Sequence, residues 1–310
     1  NRNLARVILI SAGLIWGFGF VVNKHILDNG WNESQLLFVR FFTATIAIFG
    51  IYFKRIIKTN LETIKWGLFL GVFLYLGFYF QTWGLANTTP SKNALITAGY
   101  IVLMPAIIYL FERKHIHLKT IIAGVITLIG IALITVDFKV LFSDINQNVL
   151  AFGDILTFIG AFFYAIHIYF LGKKAKQVDL FVLMAFQLLL FSIIAFAVMM
   201  VQGGFPTVDF TSVGSYKFLI YAIVIGFFAS FLAFLFQSIG QKNTNEAEAA
   251  ILISTESLFG PIFAIIFYDD VFNLFVFFSI LLVTTGIILS EIDLDVFRNK
   301  NVINKEISDE

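Results

Sequence analysis

FYFQTWGLANTTPSKNALITAGYIVLMPAIIYLF (residues 78–111) and FLFQSIGQKNTNEAEAAILISTESLFGPIFAIIF (residues 234–267) align without a gap at an offset of 156. Phe80 meets Phe236, Gln81 meets Gln237, Gly84 meets Gly240 and Asn87-Thr88 meets Asn243-Thr244. Ala94 meets Ala250, Pro105 meets Pro261 and, further on, Gly130 meets Gly286. Coincidences of Leu or Phe are cheap in an apolar chain, whereas those of Gln, Gly, Asn-Thr and Pro are not. The chain reads as an internal duplication, and a repeat decides the architecture before any local detail does.

What is duplicated is membrane-spanning. The 310 residues are 59% hydrophobic and only 13% charged, with a mean hydropathy of +0.90. A water-exposed surface needs about a quarter of its residues charged. A helix crosses the hydrocarbon core with about 20 mainly apolar residues. Ten such runs are expected, at about 4–23, 34–53, 66–85, 93–111, 118–136, 149–171, 180–201, 217–239, 247–268 and 271–290. No run of alternating apolar and polar strands points to a barrel. The start, NRNLAR followed by VILISAGLIWGFGFVV, shows no small-residue cleavage site before Asn23-Lys24-His25 and is expected to be a retained first span.

The fold class expected is thus an all-α integral membrane protein of ten transmembrane helices. Two five-helix repeats take residues 1–140 and 147–290, and a solvated tail takes 291–310. Five is odd, so the second repeat is expected to lie inverted against the first, a plan shared by many secondary transporters. Loop charges set the orientation. Arg2 and Arg6, then Lys54, Arg55, Lys58 and Lys65, then Arg113, Lys114 and Lys119, then Lys173, Lys174 and Lys176 alternate with loops carrying Asp28 and Glu33, Lys92 alone, Asp137 and Asp144 with Lys139, Asp209, and Asp269-Asp270. Basic loops stay cytoplasmic, so both termini are expected there.

Composition removes several chemistries. There is no cysteine and there are four histidines without a metal-ligand spacing, so no metal or cofactor is expected. A net charge of +1 gives nucleic acid no hold. No phosphate-cradling GxxxxGKS loop supports ATP coupling.

The chemistry left is at membrane depth. Glu256 stands inside an apolar run, where a carboxyl normally faces a cavity or a partner. Tyr100 is its counterpart in the first repeat, and Asn93, Thr97, Tyr100 and Met104 are expected to share a helix face. On the sixth helix Gly160, Tyr164 and His167 line a stripe. On the first Trp16, Phe20 and Asn23 do, and on the third Tyr75, Tyr79 and Thr82. Glu256, Tyr100, His167, Trp16, Tyr164, Thr97, Tyr79 and Asn23 are the expected substrate contacts. Arg40 reads as structural, snorkelling to the surface or paired with an acid. Gln81 and Gln237 read as repeat architecture, and Pro105 and Pro261 as paired kinks that free the carbonyls of Ile101 and Ser257.

IWGFGFVVNK (15–24), Arg40, NTTPSKNALITAGYIVLMP (87–105), AFFYAIHIYFLGK (161–173) and AILISTESLFGPIFAIIF (250–267) resemble the EamA-like branch of the drug/metabolite transporter superfamily. The resemblance implies ten helices in an inverted repeat, a central cavity formed by helices 1, 3, 4, 6, 8 and 9, and transport of small metabolites, often amino acids and often outward. It maps the family's ninth-helix acid onto Glu256 and its sixth-helix His onto His167, and it departs at Asp269-Asp270, where many members have Gly-Glu. The expectation is a secondary transporter in a bacterial cytoplasmic membrane, monomeric or homodimeric, with a small-molecule substrate, the lipid bilayer and protons as partners. A facilitator is equally compatible. The rival is an intramembrane enzyme using Glu256 and His167 as acid and base.

Overall fold

The computed structural model describes residues 2–113, 118–135, 151–208, 213–244 and 246–291. Its elements follow the apolar runs: α1 (Arg2–Asp28), α2 (Glu33–Ile56), α3 (Leu61–Ala86), α4 (Pro90–Thr97), α5 (Gly99–Glu112), α6 (Leu118–Thr135), α7 (Phe152–Lys174), α8 (Leu180–Val201), α9 (Val213–Ile225), a π-helical segment (Gly226–Leu232), α10 (Ala233–Lys242), α11 (Glu246–Ile253), α12 (Glu256–Phe267) and α13 (Leu274–Glu291). Eight stretches are long and apolar enough to cross a membrane, and the apolar parts of α6 and α13 are shorter. Together they make a ten-span, all-α membrane protein, in which α4–α5, α9–π–α10 and α11–α12 are each one span in pieces. Among the described residues no strand occurs. Lys114, Asp137, Lys139, Asp144, Asp209, the boundary between the repeats and the tail beyond Glu291 lie outside the described residues.

Loop chemistry starts the spans where the sequence is polar. Asn32 caps α2 in a reciprocal box with Gln35, and Asn60, Thr89 and Asp179 cap α3, α4 and α8 by accepting backbone N–H groups of the first turn. Pro90 occupies the first position of α4, where its missing N–H is harmless. At the end of α12 Asp269 adopts a left-handed φ of 56°, the conformation a glycine takes more readily.

Spans pack in exchanged pairs. Span 3 lies on span 6 as span 8 lies on span 1, and span 4 lies on span 6 as span 9 lies on span 1. Spans 2 and 7, 4 and 9, and 5 and 10 meet their own counterparts. That is the pattern of a local twofold relation. Equivalent glycines serve the same crossing: a Cβ on Gly286 would sit 2.8 Å from the Ala123 carbonyl oxygen, and one on Gly130 would sit 3.1 Å from the Val283 nitrogen. Small residues let helix backbones approach in lipid, where packing rather than hydrophobicity drives association.

The span 3–span 6 crossing is the tightest. A Cβ on Gly84 would lie 2.6 Å from the Gly153 carbonyl oxygen, and one on Gly153 would lie 2.6 Å from that of Gly84. Both contacts are with backbone, which has little room to retreat. Gly84→Val is expected to destabilise the protein by about 1–3 kcal/mol or more, the usual range for overpacking. The readout is the midpoint of thermal unfolding in detergent; an unchanged midpoint would mean the two spans separate freely.

The helix breaks fall ahead of the prolines rather than at them. Span 4 breaks at Ala98 and span 9 at Ser254-Thr255, positions matched by the 156 offset. Tight turns close each break, from Ile101 N–H to the Ala98 oxygen (3.0 Å) and from Ser257 N–H to the Ser254 oxygen (2.9 Å). Hydroxyls take up carbonyls around the second break: Ser254 donates to Ile251 (2.6 Å), Thr255 to Leu252 (2.8 Å) and Ser257 to Ser254 (2.7 Å). Side-chain hydroxyls are a standard way to satisfy freed backbone groups in lipid. Each break therefore starts a new half-helix, and Tyr100 and Glu256 stand in the first turns of the two.

Candidate functional site

At the centre, spans 1, 2, 3, 4, 6, 8 and 9 enclose a cavity. Its volume is about 40 Å³, measured as the space open to the centre of a water molecule. One water needs about 10–15 Å³ by that measure, so the cavity holds a few waters or part of a small solute. Its walls are aromatic. Trp16 meets Phe234 edge-on at 5.1 Å, Phe78 meets Tyr164 at 5.2 Å and Phe78 meets Phe234 at 5.7 Å.

Two contacts in this cavity join a residue to its own counterpart. Phe78 and Phe234 are equivalent by the 156 offset, and so are Tyr100 and Glu256. The Tyr100 hydroxyl donates to Glu256 Oε1 at 3.2 Å. Glu256 is 6% exposed and Tyr100 1%, so the carboxyl faces the enclosed cavity and not the lipid-facing shell.

Six of the eight expected contacts line the cavity: Glu256, Tyr100, His167, Trp16, Tyr164 and Asn23. Thr97 and Tyr79 do not. Thr97 is buried beside the cavity, accepting from Gln81 Nε2 (2.9 Å) and donating to the Asn93 carbonyl (2.7 Å). Tyr79 stacks on Tyr75 and accepts from Gln202 Nε2 at 3.0 Å. His167 Nε2 pairs with Gln187 Oε1 at 2.9 Å. Tyr164 donates to Gln81 Oε1 at 2.8 Å, so Gln81 ties the cavity residue Tyr164 to Thr97 beside the cavity rather than merely echoing the repeat.

Sequence reasoning missed Arg40. It does not snorkel, and among the described residues it finds no acid; it is 1% exposed and lines the cavity. Its Nε donates to Ser230 Oγ at 3.2 Å. Ser230 belongs to the π-helical segment, whose Ala229 carbonyl accepts from Trp16 Nε1 at 2.8 Å. Single π turns shift backbone groups out of register and recur at functional sites; here the turn presents one acceptor to each of two cavity residues. Arg40 Nη1, Gln237 Oε1 and Asn23 Oδ1 are buried without a partner among the described residues. Among the described residues no cluster of three metal-ligating side chains occurs.

Polar ties join the spans near both of their ends. At one end Arg6 Nε pairs with Glu248 (2.6 Å), and Lys173 with Glu112 (2.7 Å) and Glu246 (3.8 Å). At the other Lys92 pairs with Asp154 (3.5 Å) and Lys24 with Asp28 (3.1 Å), and the Tyr268 hydroxyl donates to Asp28. Burial, then the Asp28 hydrogen bond, pushes the Tyr268 phenol above its ordinary value, which keeps it a donor.

Comparison with known proteins now identifies the chain's kin. The pattern of the EamA-like transporter family matches it twice, over residues 4–136 and 151–292. A protein of Archaeoglobus fulgidus (strain ATCC 49558 / DSM 4304 / JCM 9628 / NBRC 100126 / VC-16), named an uncharacterized transporter, is 28% identical over 292 residues, spanning 93% of this chain and 86% of that one. A solved crystal structure shares the fold at a TM-score of 0.68 and 15% identity, covering 94% of this chain and 97% of the other. The duplicated pattern, the relative's name and the membrane spans agree: this is a multi-pass membrane transporter, and the chain belongs to the EamA-like transporter family.

Proposed function

We propose that the protein is a secondary transporter that moves small metabolites, such as amino acids, amines or related compounds, by alternating access around the central cavity. One observation carries this reading: Glu256 and Tyr100, equivalent residues of the two repeats, meet inside an enclosed cavity. A site on the axis is equally reachable from both ends when one repeat exchanges conformation with the other. Five spans per repeat, combined with a twofold exchange of packing, support an inverted arrangement with the axis in the membrane plane. The matched ion pairs support it too. Lys92 and Glu248 are equivalent by the 156 offset, and each ties its span to an oppositely charged residue near the start of span 6 or span 1. The basic loops support cytoplasmic termini, and family kinship, not geometry, points to export.

The intramembrane-enzyme reading gains no support. His167 is bonded to Gln187 and Glu256 to Tyr100, contacts that support placing a solute in the cavity more than an acid–base couple.

The experiment is flux. Purified protein in liposomes is expected to exchange labelled amino acid or amine across the bilayer unmodified, with the direction of net movement reading export against import. The same ligand is expected to raise the unfolding midpoint, since a ligand binding only the folded state at 100 times its Kd stabilises it by about 2.7 kcal/mol. A chemically altered product would sink the transporter reading in favour of the enzyme.

A further inference from the structure

We propose that the cleft bearing Lys54, Arg55 and Lys58 binds the phosphate headgroup of an anionic phospholipid, at the membrane–water boundary where span 2 ends and spans 3 and 7 begin. The cleft shares no residue with the central cavity, so the site stands apart from whatever that cavity carries.

The argument begins with the turn between α2 and α3. Hydrogen bonds fix its backbone, from Lys58 N–H to the Arg55 oxygen (3.2 Å) and from Thr59 N–H to the Ile56 oxygen (3.3 Å). Asn60 then starts α3, accepting from the Thr63 N–H and hydroxyl at 2.9 and 2.8 Å. Against this turn stands the start of α8, which adds Asp179 and Val182 to a cleft of about 540 Å³. Arg55 is held by stacking. The rings of Tyr52 and Phe181 lie face to face at 4.2 Å, and Arg55 Cζ sits 5.9 and 5.1 Å from their centroids. Cation–π attraction holds a guanidinium by its face and leaves its planar fork of donors for a phosphate. Among the described residues Lys54, Arg55 and Lys58 have neither an ion pair nor a side-chain hydrogen bond. Asp179 is the acid in the lining, and its Oδ1 is taken up in capping α8, accepting from the Phe181 and Val182 N–H groups at 3.0 and 3.3 Å. Three cations therefore face one engaged carboxylate.

Cations of the neighbouring basic loop are already engaged. Lys173 pairs with Glu112 and Glu246, Lys174 donates to Gln177 (2.8 Å) and covers the Trp66 ring at 4.2 Å, and Lys176 donates to the Thr244 carbonyl (2.9 Å). Keeping a loop on one side of a membrane requires only its charge; it calls for neither a cleft nor an aromatic platform under one of the cations. The flanks of the cleft say which anion fits. Ile51, Phe53, Ile57 and Leu61 are 60, 56, 62 and 64% exposed, and they are interleaved along the chain with the three cations. Free phosphate gains nothing from such neighbours. A phospholipid matches both, with its phosphate on the cations and its acyl chains along the apolar side chains, as basic pockets between membrane helices take anionic headgroups. Spans 2 and 7 belong to different repeats, so one bound lipid touches both halves of the protein.

The test reads binding directly and needs no substrate. The purified protein in a neutral detergent is titrated with dioleoylphosphatidylglycerol, dioleoylphosphatidylcholine or inorganic phosphate. Bound lipid is counted by native mass spectrometry and stability is followed by thermal unfolding. Phosphatidylglycerol is expected to stay bound and to raise the unfolding midpoint, at a concentration at least about tenfold below that needed for phosphatidylcholine; phosphate is expected to do neither. Each cation beside an anionic headgroup contributes about fivefold. Arg55→Gln/Lys58→Gln is therefore expected to weaken phosphatidylglycerol binding by at least about tenfold. Arg113→Gln/Lys119→Gln removes the same charge from another basic loop and is expected to bind as wild type does. Lys58→Gln alone, with an expected loss of about fivefold, serves if the first double variant does not fold. Equal losses in the two double variants would make the attraction a property of the whole basic surface and overturn the proposal. Phosphatidylcholine bound as tightly as phosphatidylglycerol overturns it too, as does stabilisation by inorganic phosphate equal to that by lipid.

Discussion

Glu256→Gln is expected to fold and to lose about 2- to 30-fold in transport. The substitution keeps the length and volume of the side chain, and its amide oxygen still accepts the Tyr100 hydroxyl bond now made to Oε1. What disappears is the ability to ionise. A hydrogen bond to a charged group is worth about 1.5–3 kcal/mol against about 1 for a neutral one, and every 1.4 kcal/mol is tenfold. If Glu256 were only a neutral link between spans 9 and 4, glutamine would do the same work and flux would match wild type at every pH. The comparison therefore separates chemistry from structure. Tyr100→Phe removes the donor while leaving the carboxyl and is expected to cost less, up to about tenfold. The pH profile gives the sign: an ionised Glu256 is the form that holds an ammonium group, so wild-type flux falls as pH drops and the carboxyl takes up a proton. The Gln variant loses that fall. His167 lines the same cavity, so any dependence that survives in the variant is assigned to it by repeating the profile in His167→Gln. Wild-type flux in Glu256→Gln across the range would remove the carboxylate from the mechanism.

How much of this was legible beforehand depended on whether a feature is local or relational. The ten spans and the duplication follow from hydropathy and from an ungapped alignment, because burial in lipid and gene repetition both leave marks along the chain. Tyr100 and Glu256 could be matched in sequence, yet their contact could not be read, since it needs the position of an axis. The grouping of Thr97 with Tyr100 failed for a defined reason. It assumed one continuous helix from Asn93 to Met104, whereas the helix breaks at Ala98; Thr97 bonds Gln81 while Tyr100 lines the cavity. The sequence groups Tyr79 with Tyr75 and Thr82 as an aromatic stripe beside polar residues, but the residues of α3 that line the cavity are Leu74, Phe78 and Gln81; Tyr79 lies beside them, against Gln202. Arg40 looked close enough to its helix end to snorkel, a judgement made along one helix. Its burial comes from another, through Gly226 and a π-helical turn that GFFASFL does not announce, since nothing in that apolar heptapeptide distinguishes i+5 from i+4 bonding.

Tethering either end of the cavity is expected to stop transport completely and reversibly. Arg6–Glu248 joins span 1 to span 9, and Lys92–Asp154 joins span 4 to span 6. Each straddles a seam that must open if substrate is to leave by that end, and in this structure both ion pairs are formed. Ion pairs with one exposed partner contribute only about 0–1 kcal/mol, so the pairs alone do not hold a seam shut; neutralising one is expected to change stability little. A covalent tether is different. The chain has no cysteine, so the double variants Arg6→Cys/Glu248→Cys and Lys92→Cys/Asp154→Cys carry the only two thiols in the molecule. A short bis-methanethiosulfonate linker is expected to reduce flux to that of empty liposomes in each double variant, and a reductant is expected to restore it. The four single variants, treated alike, should still transport, which rules out simple blockage by the reagent. With one end tethered, substrate still reaches the cavity from the other, so ligand-induced thermal stabilisation persists while flux does not. That dissociation of binding from movement is the signature of two alternating gates around one site. Flux continuing through a protein whose tether is verified by its mass would mean that end never opens, and the exchange of the two repeats would no longer describe how this transporter works.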